Sequence, residues 1–381
     1  MKICAVICEY NPFHLGHKYQ FEKIKEKYDR ILCIMSGNFT QRAEPAIVDK
    51  YVRAKEAVLN GADIVIQLPT VYACSAAPIF ARGAINILRN LPIDAISFGM
   101  ENDDLDLAFD IANCENLTAC KNKLKDNLAK GNSYIQSYIQ AIISTLKNKH
   151  NNVEEFLSTP NNMLAIEYIK AIKEYNLNWE IFPVKRENNY NSTSTKGTFA
   201  SATAVRDAIE KGNDISALVP DCETLAKAVK PNRNLFDMLA LYALRTADSA
   251  TLSSLSDSGE GLEIKLIKNA SHSTTLNEVL EQTKSKRYSF ARIKRLTLNN
   301  LLSVTKEDII YPDNATAIML AVKNDFTKHL KDFSPYLITE NSKLDNFIPI
   351  NFTKIEERAE KIYSVICSST YCGTIKKLVK V

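Results

Sequence analysis

Short continuous apolar runs alternate with amphipathic stretches through the first half of the chain. Runs at 3–8, 29–35, 63–68, 94–98 and 179–184 are short and lack polar alternation, which predicts strands buried on both faces. Helices are predicted from near His14, over 45–60 with Gly61 as the stop, over 78–90, and from the turn Pro160-Asn161-Asn162 to about residue 175. A further helix starts within 200–206, with Ser201 or Thr203 near its cap. Strands alternating with helices in this way predict an α/β, Rossmann-like domain built on a parallel sheet. After about residue 212 the rhythm stops. Amphipathic helices are predicted over 225–246 and 276–304, a short strand over 314–322 and a helix over 356–366. The expected organisation is one domain at 1–212, with a polar helical excursion at about 103–152, followed by a mainly helical C-terminal domain at 213–381. The polar stretch 188–196 is expected to be a mobile loop.

Composition adds bounds rather than chemistry. With 381 residues, 45% hydrophobic and 24% charged, the chain is long enough for two globular parts. A net charge of +4 is too mild to name a partner. Nine cysteines contain no Cys-x-x-Cys pair, so they are expected as reduced thiols, and no metal site is expected. No apolar run approaches the ~20 residues of a membrane span, and the start shows no export signal, so a cytoplasmic protein without a membrane partner is expected.

Chemistry concentrates after the first strand, in His14-Leu15-Gly16-His17. Two histidines three residues apart share one face of a helix's first turn. The unpaired N–H groups and partial positive charge of a helix start favour an anion, and Gly16 leaves room for close approach. A polyphosphate lying across His14, His17 and the helix start is the expected ligand. Both histidines can donate to phosphate oxygens whose charge grows in a transition state, which makes them the catalytic candidates. Lys185 and Arg186 follow a strand and can bring a cation to the crevice at the carboxyl ends of the sheet. A second concentration, residues 284–295, packs Lys284, Lys286, Arg287, Arg292, Lys294 and Arg295 with two aromatic residues, a composition suited to RNA phosphates and unstacked bases.

A first strand followed by His-x-Gly-His resembles the nucleotidylyltransferase superfamily. The wider string Glu9-Tyr10-Asn11-Pro12-Phe13-His14-Leu15-Gly16-His17-Lys18-Tyr19-Gln20 resembles the bacterial tRNA(Met) cytidine acetate ligases. That resemblance implies that ATP is wrapped by Ile7, Cys8 and the residues from Glu9 to Gln20. It also implies contacts from Gly99, from Asn161 or Asn162, and from Arg186. Ser201 and Thr203 would meet phosphates, with Arg206 nearby. Two family glycines are alanines here, Ala43 within Gln41-Arg42-Ala43-Glu44-Pro45, and Ala165. The implied activity is a ligase reaction: acetate attacks the α-phosphorus of ATP, with Mg²⁺ on the nucleotide. The acetyl group then passes to the N4 amine of the wobble cytidine of elongator tRNA(Met). Two rivals share the motif: a small-molecule adenylyltransferase that makes a dinucleotide, and a catalytically silent RNA-binding protein.

Overall fold

The computed structural model describes residues 1–132, 134–186 and 199–381; the expected loop at 188–196 lies outside the described residues. Five strands, β1 (Ile3–Cys8), β2 (Arg30–Ser36), β3 (Ile64–Leu68), β4 (Ala95–Met100) and β5 (Glu180–Lys185), pair in parallel in the order β5-β4-β1-β2-β3. Their registers run from Ile3 opposite Arg30 to Cys8 opposite Met35, and from Cys4 opposite Ala95 to Val6 opposite Ser97. Every strand therefore ends at one edge, with β1 in the middle. The helices Leu15–Lys25, Lys50–Leu59, Ala77–Leu88 and Pro160–Glu174 follow the sequence expectation, and the sheet core is apolar and buried. The expected excursion forms three helices, Leu105–Cys114, Thr118–Ala129 and Tyr134–Leu146.

The second half differs from its expected layout in two ways. The short strand expected at 314–322 forms as β6 (Ala317–Val322), but it returns to the first sheet. It pairs antiparallel with β3, Ile64 opposite Val322, and is flanked by β7 (Leu337–Ile338) and β8 (Val379–Lys380). All six β6 residues are buried, so the sheet is mostly parallel with one antiparallel pairing inside it. An apolar run announces a buried strand but carries no address for its partner.

The expected helix 276–304 is two helices, Leu276–Thr283 and Phe290–Leu302. A capping box between Thr275 and Glu278 starts the first, and Ser289 caps the second by accepting from the amide of Arg292 at 3.3 Å. Likewise 225–246 divides into Cys222–Lys227 and Arg233–Thr246, separated by Pro231 and capped anew by Asn232. The helices Arg233–Thr246, Leu262–His272, Leu276–Thr283 and Phe290–Leu302 enclose their own apolar cluster.

The last long helix, Asn351–Ile366, drives two carboxylates under the loop that follows β2. Lys50, with no exposed surface, meets Glu360 at 2.7 Å and Gln67 Oε1 at 2.7 Å. Glu356 accepts from the amide and hydroxyl of Thr70 and from Gln67 Nε2. Asn38 donates to Glu360 and accepts from the amide of Lys50. A buried charged network of this kind fixes one register of a terminal helix against a loop, because any slip leaves an uncompensated charge.

Candidate active site

β1 ends at Cys8, and the chain turns sharply to begin the helix Leu15–Lys25 with His14 as its N-cap. Tyr10 takes a positive φ of 45° in this turn. That conformation costs about 1–3 kcal/mol and needs support from its surroundings. The Tyr10 ring provides it, packing edge-on against Phe13 (4.9 Å between centroids), His17 (4.7 Å) and Phe21 (6.0 Å). Asn11 closes the turn from both sides. Its Oδ1 accepts from the amide of Ile47 at 2.7 Å, and its carbonyl accepts from Arg206 at 2.7 Å.

The two histidines form a capping box of their own. His14 Nδ1 accepts from the amide of Gly16 at 3.1 Å, and His17 Nδ1 accepts from the amide of His14 at 3.2 Å. With both Nδ1 atoms accepting, each neutral ring carries its proton on Nε2. The rings stack at 3.6 Å between centroids. Burial, then Arg186 and Arg206, pushes the His14 pKa down to about 3; burial, His14 and Arg186 push His17 down too. The pair is thus two neutral donors at physiological pH. His14 Nε2 is buried and finds no hydrogen-bond partner among the described residues. A buried, unpaired donor at a helix start is a seat for an anionic oxygen.

Gly16 serves this pair differently from the sequence expectation. A Cβ there would stand 2.9 Å from His14 Cε1, so the His14 ring occupies the room expected for the ligand. We expect Gly16→Ala to lower turnover by about 10-fold or more, the scale of a displaced catalytic group, with an unchanged melting temperature. Steady-state kinetics beside a thermal melt checks this.

One cleft collects most of the expected residues. Ile7, Cys8, Glu9, Tyr10, Asn11, His14, His17 and Gln20 line it from the β1 turn; Gly99, Asn161, Arg186 and Thr203 line it from the other segments. Gln20 Nε2 is anchored on Ser97 Oγ at 3.2 Å. A Cβ at Gly99 would meet the Arg186 stem at 3.2 Å, so glycine lets that arginine lie across the β4 end. Tyr19 and Ser201 line an adjoining hollow that shares both histidines, with Tyr19 against Phe199 at 5.1 Å. Ser201 also caps Ala202–Glu210, accepting from the amide of Ala204. Lys185 lines the same hollow and pairs with Asp103 at 3.2 Å.

The remaining expected residues support the turn from behind. Phe13 is buried under His17 at 5.5 Å, and Leu15 and Lys18 make main-chain bonds to Leu218 and His14. Pro12 sits in the turn with a cis peptide to Asn11. Asn162 is fully buried, accepting from the amide of Glu101 and donating to Asn102 and Phe156, whereas Asn161 faces the cleft. Of the two asparagines left open by the sequence, Asn161 is the one placed to touch a ligand.

Sequence reasoning did not assign Gln41, Arg42 and Glu44 to the site, yet all three line the cleft. Their signal was present, since they follow β2 at the same sheet edge as the histidine turn. Glu9 accepts from the amide of Gln41 at 2.7 Å, and burial pushes its carboxyl up against the opposing effect of Gln41, Arg206, Arg42 and Arg53. Ala43, where the resemblance expects glycine, has φ +57°, a left-handed conformation costing an alanine roughly 1–2 kcal/mol. Arg53 was also missed. Fully buried, it donates to the carbonyls of Glu9, Ser36, Gly37 and Val48, tying the ends of β1 and β2 together. Arg206 spans Asn11 and Thr203 Oγ1. Three arginines (42, 186 and 206) against two acids give the cleft an excess of positive charge. Among the described residues no group of three or more His, Cys, Asp or Glu could hold a metal ion.

The basic segment is divided by its surroundings. Arg292 pairs with Glu260 at 2.7 Å, Lys294 with Glu44 at 2.5 Å and Arg295 with Asp257 at 2.7 Å, all partly buried. Lys284, Lys286 and Arg287 are exposed on the turn between the two helices.

Stacked neutral histidines at the carboxyl end of the first parallel strand, beside an arginine-lined cleft, define a nucleotidyl transferase. The model of the HIGH nucleotidyl transferase family matches residues 1–376. A tRNA(Met) cytidine acetate ligase of Caldanaerobacter subterraneus subsp. tengcongensis is 39% identical over 322 residues, covering 81% of this chain and 79% of that protein. One from Thermosipho africanus is 35% identical over 377 residues, covering 94% and 89%. The crystal structure of Thermotoga maritima TmcAL bound with alpha-thio ATP superposes over the whole of both chains, with a TM-score of 0.89 and 25% identity. This chain belongs to the tRNA(Met) cytidine acetate ligase family.

Proposed function

We propose that the protein is an ATP-dependent ligase that activates acetate and acetylates the wobble cytidine of elongator tRNA(Met). One observation carries this reading: His14 Nε2 and His17 form a paired donor seat at a helix start, with the His14 donor buried and unpaired among the described residues. A triphosphate laid there presents its innermost phosphorus at the edge of the cleft. An acetate oxygen attacks that phosphorus and pyrophosphate leaves. The cytidine N4 then attacks the acetyl carbonyl, AMP departs with the bonding electron pair, and N4 loses one proton. His14, His17 and Arg186 stabilise the charge that gathers on the phosphate oxygens. Glu9 and Glu44 are both engaged by protein donors, so Mg²⁺ would come with ATP rather than on these carboxylates, and would supply neutralisation of phosphate charge. The transfer chemistry lies within residues 1–212, and the helices after it receive the RNA. Among the described residues no helix is long and apolar enough to cross a membrane, and the proposed substrates place the work in the cytoplasm.

The test is mass analysis of tRNA nucleosides after incubation with ATP and labelled acetate. The expected product is cytidine carrying one labelled acetyl group. Pyrophosphate release with nicotinamide or pantetheine phosphates instead of acetate, and no labelled nucleoside, would replace this reading with a dinucleotide synthesis.

Binding of RNA is assigned to the exposed part of the basic segment. Lys286→Glu with Arg287→Glu is expected to weaken tRNA binding and to flatten the slope of log affinity against log salt by roughly 1–2 units. Acetate-dependent ATP–pyrophosphate exchange should not change. A salt slope equal to that of the unaltered protein would remove these residues from the RNA contact.

A further inference from the structure

A second cavity lies beyond Glu44, on the side away from the histidines. The space it encloses is about 180 Å³ and opens to solvent at its mouth. The loop 43–45 forms one wall; helices Arg233–Thr246, Leu276–Thr283 and Phe290–Leu302 form the others. Glu44 lines both spaces, so they abut at a single side chain. Its carboxylate is held by Lys294 at 2.5 Å and Arg233 at 3.7 Å, and these partners keep its pKa below the usual value. The cavity therefore opens beside the nucleotide cleft, with one ion-paired carboxylate at their junction.

Its walls combine two kinds of group. Phe236 and Phe290 supply aromatic surface, and Lys294 lies over the Phe290 ring at 5.0 Å. Asp237 and Asn277 supply polar acceptors and donors beside those rings. The exposed cations Lys284, Lys286 and Arg287 sit on the turn joining the two helices that form the walls, so phosphate-binding charge lies next to this space. Aromatic faces, edge-reading polar groups and nearby cations are what recognition of an unstacked base requires.

We infer that this cavity receives the pyrimidine base to be acetylated, swung out of the RNA, with Asp237 accepting a hydrogen bond from its exocyclic amine and Phe290 packing on its face. The inference rests on the ligase reading above and adds to it the place where the acceptor base enters. A carboxylate accepts from cytosine N4 and repels the O4 of uracil, so Asp237 distinguishes the two pyrimidines.

The experiment uses the full chain with a stem-loop RNA bearing cytidine at the target position, and its uridine twin. Direct binding without ATP gives the cytidine-over-uridine preference; acetate-dependent ATP–pyrophosphate exchange without RNA gives the first half-reaction. The unaltered protein is expected to prefer cytidine by about 10-fold, the scale of one good base contact. Asp237→Asn should bring that ratio to about parity, and Phe290→Ala should weaken both RNAs equally, while exchange stays within about two-fold in each. An unchanged preference in Asp237→Asn would overturn the inference. So would a loss of exchange parallel to the loss of RNA binding, because the cavity would then merely support the nucleotide cleft. Asp237→Asn conserves shape, so its result decides even if Phe290→Ala does not fold. If the unaltered protein showed no exchange, the ligase reading would fall, and the base preference would still be measured.

Discussion

Replacing His17 with alanine should lower acetate-dependent ATP–pyrophosphate exchange by about 100- to 1000-fold, the effect of removing one donor to a developing phosphate charge. The expected loss is large because the site has little else to offer in that position. His17 Nε2–H is oriented by a backbone bond to its own Nδ1, and the ring is clamped between Tyr10 and His14. Alanine removes the donor and also frees the amide of His14, so the capping box opens. The fold should survive, since Leu15–Lys25 keeps His14 as its cap and Phe21 and Ile24 as its buried anchors. Circular dichroism that matches the unaltered protein, with exchange at background, is the expected outcome. Normal turnover would remove the imidazole pair from the mechanism.

The protonation of this pair sets a pH dependence with a definite sign. The folded-state pKa of His14, about 3, lies below its ordinary value of 6.5. Between those values the unfolded chain binds a proton that the folded chain refuses, so the stabilising effect present above pH 6.5 is lost as pH falls toward 3. Both donors stay neutral above that window. The His14 and His17 contribution to rate should therefore be flat from pH 6.5 upward, as a pH profile of exchange will check.

The second large effect concerns stability. Lys50→Met is expected to cost about 3–5 kcal/mol, because it leaves Glu360 buried and unpaired. Against the effect of complete burial, Glu360 holds the Lys50 ammonium above its usual pKa, while burial pushes the Glu360 carboxyl up against the pull of Lys50. Combining Lys50→Met with Glu360→Leu should restore most of the loss, since a buried pair replaced by apolar groups of similar size is often neutral. Urea unfolding of both single variants and the double variant gives the coupling. An additive double variant would mean that the pair contributes nothing beyond its separate side chains.

The chain and the structure agree most where physical constraints are local. Apolar runs located all five parallel strands. The four inner ones are covered on both faces and have no polar face to interrupt them, whereas β5, at the sheet edge, is not buried on both faces as expected and keeps only Val184 buried. His14 and His17 were legible because three-residue spacing at a helix start has one geometric meaning. Gln41 and Arg42 were legible by their place after β2 but were not assigned, whereas Arg53 was not legible, because its role depends on how two strand ends meet in space. The basic segment looked uniform in sequence; its division into three exposed cations and three ion-paired ones depends on Asp257, Glu260 and Glu44, distant in the chain.

By itself, then, the sequence determined the βα repeat, the sheet edge where the candidate site forms and the imidazole pair at its helix start. Tertiary structure alone decided that β6 returns beside β3, that a terminal helix locks the loop after β2 through Lys50, and that Glu44 stands between two cavities. The reason is range: helix caps and strand burial are written in neighbouring residues, whereas a partner strand or a buried ion pair is specified only by what remains when the whole chain has packed.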